Sequence, residues 1–415
     1  MLLPENVVQV LRKVYWDLHG PESPEGVERP EDFWPPLVPV DFRLSQGSSG
    51  TSVALVCQDQ EFRVRLGRTP RPSGKWDCAA DFLDHIPWIP GTFIQLVPVR
   101  IKHRPVDGAV VKFQGQNTRY PMLPTGPVRS LTPQDPTDQQ TCSLRVAPGV
   151  AARVQRCCQV ANSHHVPARD RLPGALLTRR HSCWAVGTDR ALMVAVKIAT
   201  VEDLPAWSFW LPGNQAELVT CLLGTQDLKL SWATSGNHIT TTIESQDQRG
   251  SWRYRLDHLD RALQHLGKIL TAPRVLPTPG LLDAVQWAWD QHDDRWPLYL
   301  VPDLGAPWSF CFHKIGDVVQ VVAAVPQDVD GNEVKLVMKP LEASGTTLPL
   351  DTWYDAEKLL FGLKTADEKT QWACGTLDNV TDHFSVLYCR APGIRVVLAA
   401  QRNTKADEAL AKLER

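Results

Sequence analysis

The segment Leu176–Val196 reads LLTRRHSCWAVGTDRALMVAV. Two apolar runs flank the polar stretch Gly187-Thr188-Asp189-Arg190, so the pattern is strand, tight turn, strand. Asp at such a turn accepts hydrogen bonds from backbone N–H groups just downstream, which closes the turn without a second chain segment. Asp189 is therefore expected to be a turn device. The alternative, a catalytic acid, requires a partner base, and none can be named near it.

The same order of elements recurs on either side. A Pro-led helical pattern appears as LPENVVQVLRKVYWDL from Leu3, APGVAARVQRCCQVA from Ala147 and TPGLLDAVQWAWDQ from Thr278. Pro suits a helix start because its missing N–H has no intrahelical partner there. A second helical pattern follows as CAADFLDHI from Cys78, NQAELVTCL from Asn214 and DAEKLLFGL from Asp355. Strand-like runs lie between and after the helices: PPLVPVDFRL and GTFIQLVPVRI, then LPGALLTRRHSCWAVGTD and QDLKLSWATSGNHITTTI, then WPLYLVPDLGAPWSF and FSVLYCRAPGIRVVLAAQR. The unit repeats about every 130–145 residues, the signature of one module used three times. The Pro-, Gln- and Thr-rich segment Arg129–Thr141 marks the first boundary. The expected modules are 1–132, 133–268 and 269–402, with 403–415 as a C-terminal tail. The expected class is α+β, each module holding two helices backed by antiparallel sheets.

Composition narrows the function. The chain has 415 residues, is 43% hydrophobic and 22% charged, and carries a formal net charge of −2. This is ordinary for a globular protein, and any nucleic-acid contact has to come from local patches. No apolar run reaches membrane-spanning length, and the N-terminus does not read as a secretory signal. Ten cysteines without a CxxC pair fit free thiols in a reducing cytoplasm.

Three in-order copies of a two-helix, sheet-backed module resemble the bacterial beta-type DNA sliding clamp. In that family the middle domain has L-N-G, a strand, and then A-T-D-G-H-R-L-A. Here Leu172-Pro173-Gly174 leads to Gly187-Thr188-Asp189-Arg190-Ala191-Leu192-Met193-Val194. FWLPGNQAELVTCLLG is similar to the family's entry into the second helix, and LSWATSGNHITTTI to its following hairpin. NTRYPMLPT (Asn117 to Thr125) resembles the segment that closes domain one. YDAEKLLFGLK and GIRVVLAAQR resemble the last helix and the final V-V-M-P-M-R strand. The likeness covers nearly the whole chain.

The resemblance implies a homodimeric head-to-tail ring, cytoplasmic, with helices around double-stranded DNA and no base readout. It implies a processivity factor without catalytic residues, cofactor or metal. Retention by encirclement needs only loose phosphate attraction, which is compatible with a net charge of −2. Helical spacing places Val7, Leu11, Val14 and Leu18 on the core face of the first helix, with Gln9, Arg12, Lys13 and Trp16 pointing away. On the second-module helix Val150, Val154, Cys157 and Ala161 face the core, and Arg156 and Gln159 point away, with Arg153 on the flank. Lys358 points away on the last helix. Arg12, Lys13, Arg153, Arg156 and Lys358 are thus the DNA-facing candidates. Asp283 and Asp290, and Asp81 and Asp84, carry the opposite sign on the remaining helices.

The family also has a cleft that accepts short peptides from DNA polymerase, the clamp loader and repair proteins. The matching positions are Leu172, Thr188, Arg190, Ala191, Leu192 and Met193, with Val396, Val397, Leu398, Ala399 and Ala400. The wall departs from the family pattern: Arg190-Ala191-Leu192 stands for Gly-His-Arg, and Leu398-Ala399-Ala400 for Met-Pro-Met. The departures imply a changed partner sequence, or none. The tail NTKADEALAKLER spaces Ala406, Leu410 and Leu413 on one helical face; of lying over the groove or standing in solvent, a frayed, solvated terminus is expected.

Two other readings stay open. One is a scaffold of this fold that does not encircle DNA. The other is a hydrolase with a metal on His292, Asp293 and Asp294. Against zinc at Cys157-Cys158 and His164-His165, Cys157 falls on a core face. DVDGNE (Asp328 to Glu333) lacks the downstream Glu of a calcium loop and reads as a hairpin turn.

Overall fold

The computed structural model describes residues 2–19, 39–47, 50–57, 60–67, 74–86, 94–101, 104–113, 120–124, 140–146, 149–161, 175–179, 182–189, 191–200, 207–210, 227–255, 275–291, 309–327, 333–342, 347–376 and 386–413. Its helices are α1 (Glu5–His19), α2 (Val150–Ala161), α3 (Leu281–Asp290), α4 (Ala356–Leu363) and α5 (Thr404–Leu413). By packing, the chain forms two compact units, Met1–Ala185 with Ile198–Asp260, and Val186–Lys197 with Arg261–Arg415.

In chain order the strands are β1 (Leu2–Leu3), β2 (Asp41–Gly47), β3 (Gly50–Cys57), β4 (Gln60–Gly67), β5 (Gly74–Ala79), β6 (Ile94–Ile101), β7 (Arg104–Phe113), β8 (Tyr120–Pro121), β9 (Leu123–Pro124), β10 (Gln140–Arg145), β11 (Ala175–Arg179), β12 (Ser182–Thr188) and β13 (Leu192–Thr200). There follow β14 (Trp207–Trp210), β15 (Asp227–Ser235), β16 (His238–Glu244), β17 (Gln248–Arg255), β18 (Leu276–Pro277), β19 (Ser309–Ile315), β20 (Val318–Pro326), β21 (Val334–Leu341), β22 (Tyr354–Asp355), β23 (Ala373–Thr376), β24 (Val386–Ala391) and β25 (Ile394–Ala399). The mixed, largely antiparallel architecture matches the α+β expectation.

In the first unit, β1-β6-β7-β8 form one sheet and β10-β15-β16-β17-β4-β3-β2-β5-β9 another. The nine-stranded sheet is continuous through β17 and β4, where Gln248–Trp252 pair antiparallel with Gln60–Val64. Alternation gives this sheet an apolar face, with Phe42, Leu44, Val53, Leu55, Phe62 and Val64 buried. Helix α1 packs on β3, and Val7, Leu11, Val14 and Leu18 are buried as the spacing predicts. Each such side chain contributes about 1.5–3 kcal/mol of burial free energy.

The start of each Pro-led helix differs from expectation in detail. Pro4 lies just before α1, its carbonyl accepting from the N–H groups of Val7 and Val8 at 3.1 Å each. In the second and third copies a glycine intervenes. Gly149 (φ 78°) and Gly280 (φ 71°) occupy the left-handed region immediately before Val150 and Leu281. Glycine reaches that region without a Cβ penalty. The shared Pro-Gly entry is a repeat signal that the helical periodicity alone did not expose.

The second helical patterns fare unequally. DAEKLLFGL forms α4, capped by Asp355, whose carboxylate accepts from the Lys358 N–H at 3.0 Å. CAADFLDHI gives only a 3-10 turn, Asp81–Leu83, though Phe82, Leu83 and Ile86 are fully buried. The proline at position 87 disfavours helical geometry at Ile86 and stops propagation. NQAELVTCL lies outside the described residues, as do Leu172, His164, His165, Arg190, and His292, Asp293 and Asp294.

In the second unit, β13-β25-β24-β23-β18 pair in that order, and β21-β20-β19-β22 form a separate sheet. Strands β20 and β21 make the hairpin expected around DVDGNE, closing with Gln327 N–H on Glu333 O at 2.8 Å. Helix α3 packs on β20 and β21.

The tail corrects the sequence reading. It forms α5 and does not fray: Ala406 and Leu410 are buried with Cys311, Val322, Ala324 and Trp353, against Val334, Leu336 and Met338. Asn403 starts the helix, its side-chain oxygen accepting from Ala406 N–H at 3.1 Å. The Trp353 indole N–H donates to Asp407 at 2.7 Å. The physical reason is that β19 and β20 bury apolar side chains on both faces, and α5 covers the face that presents Cys311, Val322 and Ala324. Leu413, expected on the same helical face, is exposed.

Candidate functional site

The Thr188–Asp189 turn is built as the sequence suggests. The Asp189 carboxylate oxygen Oδ1 accepts from the N–H groups of Ala191 at 2.9 Å and Leu192 at 2.6 Å. Asp189 N–H and the Thr188 hydroxyl both donate to the Leu192 carbonyl, at 3.0 and 2.9 Å. One feature was not legible: Oδ2 lies 3.1 Å from Nζ of Lys358 on α4, and the Asp189 side chain is only 4% exposed. A buried carboxylate needs compensation of this kind. Lys358, predicted to point away from the core toward DNA, is instead committed to the turn.

The wall residues divide between two sheet faces. Leu192 pairs with Leu398, Met193 with Val397 and Val194 with Val396. Because side chains alternate along a strand, Leu192, Val396 and Leu398 share one face and Met193 and Val397 the other. The first face lies under α4. A Cβ on Gly362 would come within 2.6 Å of Val396 Cγ1 and 3.3 Å of Leu192 Cδ1. Glycine at 362 thus lets the helix backbone approach the sheet. On the second face Val397 is buried with Val386 and Tyr388, and Met193 and Val275 pack beside them. Ala399 N–H donates to Ala191 O at 2.8 Å, fastening the turn to the last strand. The structure therefore brings Thr188, Ala191, Leu192, Met193, Val396, Val397, Leu398 and Ala399 into one local assembly, with Ala400 following it.

The basic candidates also differ from one another. Arg12 was expected to point away from the core but is 7% exposed. Burial lowers its pKa, and the Asp84 carboxylate opposes that shift. Tyr15 donates to the same carboxylate at 3.1 Å. Lys13 is exposed, and Arg153 and Arg156 are half-buried on α2. On α3, Asp283 and Asp290 are exposed. The nine described cysteines are free thiols, and no described residues form a His, Cys, Asp or Glu cluster suited to a metal. Among the described residues no helix is long and apolar enough to cross a membrane.

Solved structures of the same architecture cover almost the whole chain. One is the DnaN sliding clamp, DNA polymerase III subunit beta, of Pseudomonas aeruginosa bound to griselimycin. It matches with TM-score 0.63 over 97% of this chain and 99% of that one, at 13% identity. The chain has the sliding-clamp fold.

The DNA polymerase III beta subunit of Thermotoga maritima shares the clamp fold with TM-score 0.61 and 10% identity, over 95% of this chain and 98% of that one. The DNA polymerase sliding clamp of Bacillus subtilis does so with TM-score 0.59 and 11% identity, over 95% and 98%. No protein-family profile matches the sequence, and no curated protein matches it. The likeness in fold thus comes with few identical residues.

Proposed function

We propose that this protein is a DNA sliding clamp, a non-enzymatic processivity factor. Two chains close head to tail around duplex DNA, and the ring tethers replication and repair proteins. The observation that carries the reading is end-to-end coverage of clamp structures by one chain, at TM-scores of 0.59–0.63. In this reading the modules are 1–132, 133–268 and 269–402, and the protein works in the cytoplasm. Of the DNA-facing candidates Lys13 is exposed, Arg153, Arg156 and Lys358 are half-buried, and Arg12 is buried. Polymerase and clamp-loader peptides dock along Thr188, Arg190, Ala191, Met193, Val397, Ala399 and Ala400, with Leu172 contributing, while Leu192, Val396 and Leu398 support this wall from the face under α4. The loose, non-specific attraction required is electrostatic and falls with salt.

Two measurements test it together. Light scattering gives the assembly mass, expected near twice 46.3 kDa. Retention on a nicked circular plasmid, followed by release on linearisation, reports encirclement. A strict monomer at high concentration, or equal retention on circular and linear DNA, refutes it. The burial of Arg12 and the Asp189–Lys358 pair favour one second reading, a clamp-fold scaffold for protein partners. A dimer that binds partner peptides but shows no topological retention identifies that case.

A further inference from the structure

The nine-stranded sheet carries a polar row on its other face. Cross-strand partners run Lys229, Glu244, Arg249, Arg63, Ala54, Arg43 and Asp77. Two of the four cations in the row, Arg43 and Arg63, have an acid, as does Arg65 beside it. Arg43 lies 3.5 Å from Asp77, and Arg63 bonds Glu61 through both Nε and Nη2. Arg65 donates to Glu244 at 2.6 Å. Arg249, like Lys229 at the start of the row, has no such pair among the described residues. Its cross-strand neighbours are Glu244, which bonds Arg65, and Arg63 itself. Like charges directly opposite in an antiparallel pair repel, and among the described residues Arg249 has no carboxylate partner.

The chain leaves space at this point. A cavity of 230 Å³ is lined by Gly50, Thr51, Ser52, Arg63, Arg65, Gln248 and Arg249. The register shifts there, Thr51 facing Gly67 and Ser52 facing Arg65, so that Leu66 is left without a partner. A bulge of this kind twists the strand and re-aims its side chains. Arg65 N–H donates to Asp247 O at 2.8 Å, holding the end of the seam. Asp247, exposed at the turn, and Glu61 and Glu244 are the acids nearby. Gln248 adds a buried amide oxygen with no hydrogen-bond partner. An amide can present its NH2 group there by flipping.

We propose that the arginine cleft on the β4–β17 seam binds a tetrahedral oxyanion of the phosphate class. Guanidinium forks match such oxygens, and the hydroxyl of Ser52 supplies a further donor. The ligand bridges Arg63 and Arg65 of β4 to Arg249 of β17 and relieves the Arg63–Arg249 repulsion. The site is separate from the helix residues invoked for encirclement. It concerns phosphate either as a free anion or as part of a nucleic-acid strand.

Calorimetric titration of the full chain with inorganic phosphate and with pyrophosphate, against sodium chloride of matched ionic strength, tests the proposal. A short single-stranded oligonucleotide forms the second arm. Binding that weakens tenfold or more in Arg249→Gln supports the site. Arg65→Gln, at a side chain 59% exposed, gives the same readout with little risk to folding. If only the free anions bind in this way, the source is a small phosphate. If the oligonucleotide binds in this way and phosphate competes, the source is a nucleic-acid strand. No binding, binding matched by chloride, or binding unchanged in both variants overturns the proposal. Topological retention on circular plasmid does not depend on Arg249, so failure here leaves the clamp reading standing, and the reverse.

Discussion

Replacing Lys358 by Met isolates the ion pair that ties α4 to the Thr188–Asp189 turn. Met keeps most of the alkyl packing and removes the ammonium. The Asp189 side chain is 4% exposed and that of Lys358 22%, so solvent only partly replaces the lost partner. Breaking a buried pair by removing one member costs roughly 3–5 kcal/mol in general. Here Asp189 keeps two backbone N–H donors, at 2.6 and 2.9 Å, which continue to stabilise its charge. The expected loss is therefore smaller, about 2 kcal/mol. For a unit of this size that lowers its melting transition by about 4–8 °C. Calorimetry suits the measurement because two units need not melt together. Adding Asp189→Asn completes a double-mutant cycle, with an expected coupling of about 1–2 kcal/mol. A coupling below about 0.5 kcal/mol, or one removed by 0.5 M salt, would show an ordinary surface pair and refute the reasoning.

Three further outcomes follow from packing and ionisation. Gly362→Ala, whose Cβ would sit 2.6 Å from Val396, should destabilise by about 1–3 kcal/mol through overpacking, and Val396→Ala in the same chain should recover part of it. An unchanged melting temperature in Gly362→Ala would mean that α4 does not rest on β25. Leu410→Ala should cost about 2–4 kcal/mol because Leu410 is buried against β19–β21, whereas Leu413→Ala should be nearly neutral; equal effects in urea melts would return the tail to a solvated role. Burial pushes the Cys57 and Cys142 thiols up to about 11. The unfolded chain then loses these protons first as pH rises past the ordinary thiol value. Stability contributed by the neutral thiols is present below about pH 9 and falls toward pH 11, by on the order of 1.4 kcal/mol per pH unit per thiol. Cys57→Ala and Cys142→Ala together should flatten that alkaline slope in denaturant titrations.

Local pattern determined a good deal of this protein. The 3.6-residue spacing placed Val7, Leu11, Val14 and Leu18 in the core, and all are buried. The Asp189 turn and the β20–β21 hairpin were equally legible, because each closes on neighbours within a few residues. The order of these elements sufficed to suggest the clamp fold.

Tertiary structure decided everything that rests on distant partners. Lys358 reaches Asp189, Arg12 is buried, and α5 docks on Trp353 and Cys311. Helical periodicity says which way a side chain leaves its own helix, but not whether another element waits there. The nine-stranded sheet makes the same point, since the Arg249–Arg63 juxtaposition exists only once β17 and β4 settle into register. Sequence fixes what each segment can bury by itself; which charges meet depends on the register and approach of segments far apart in the chain.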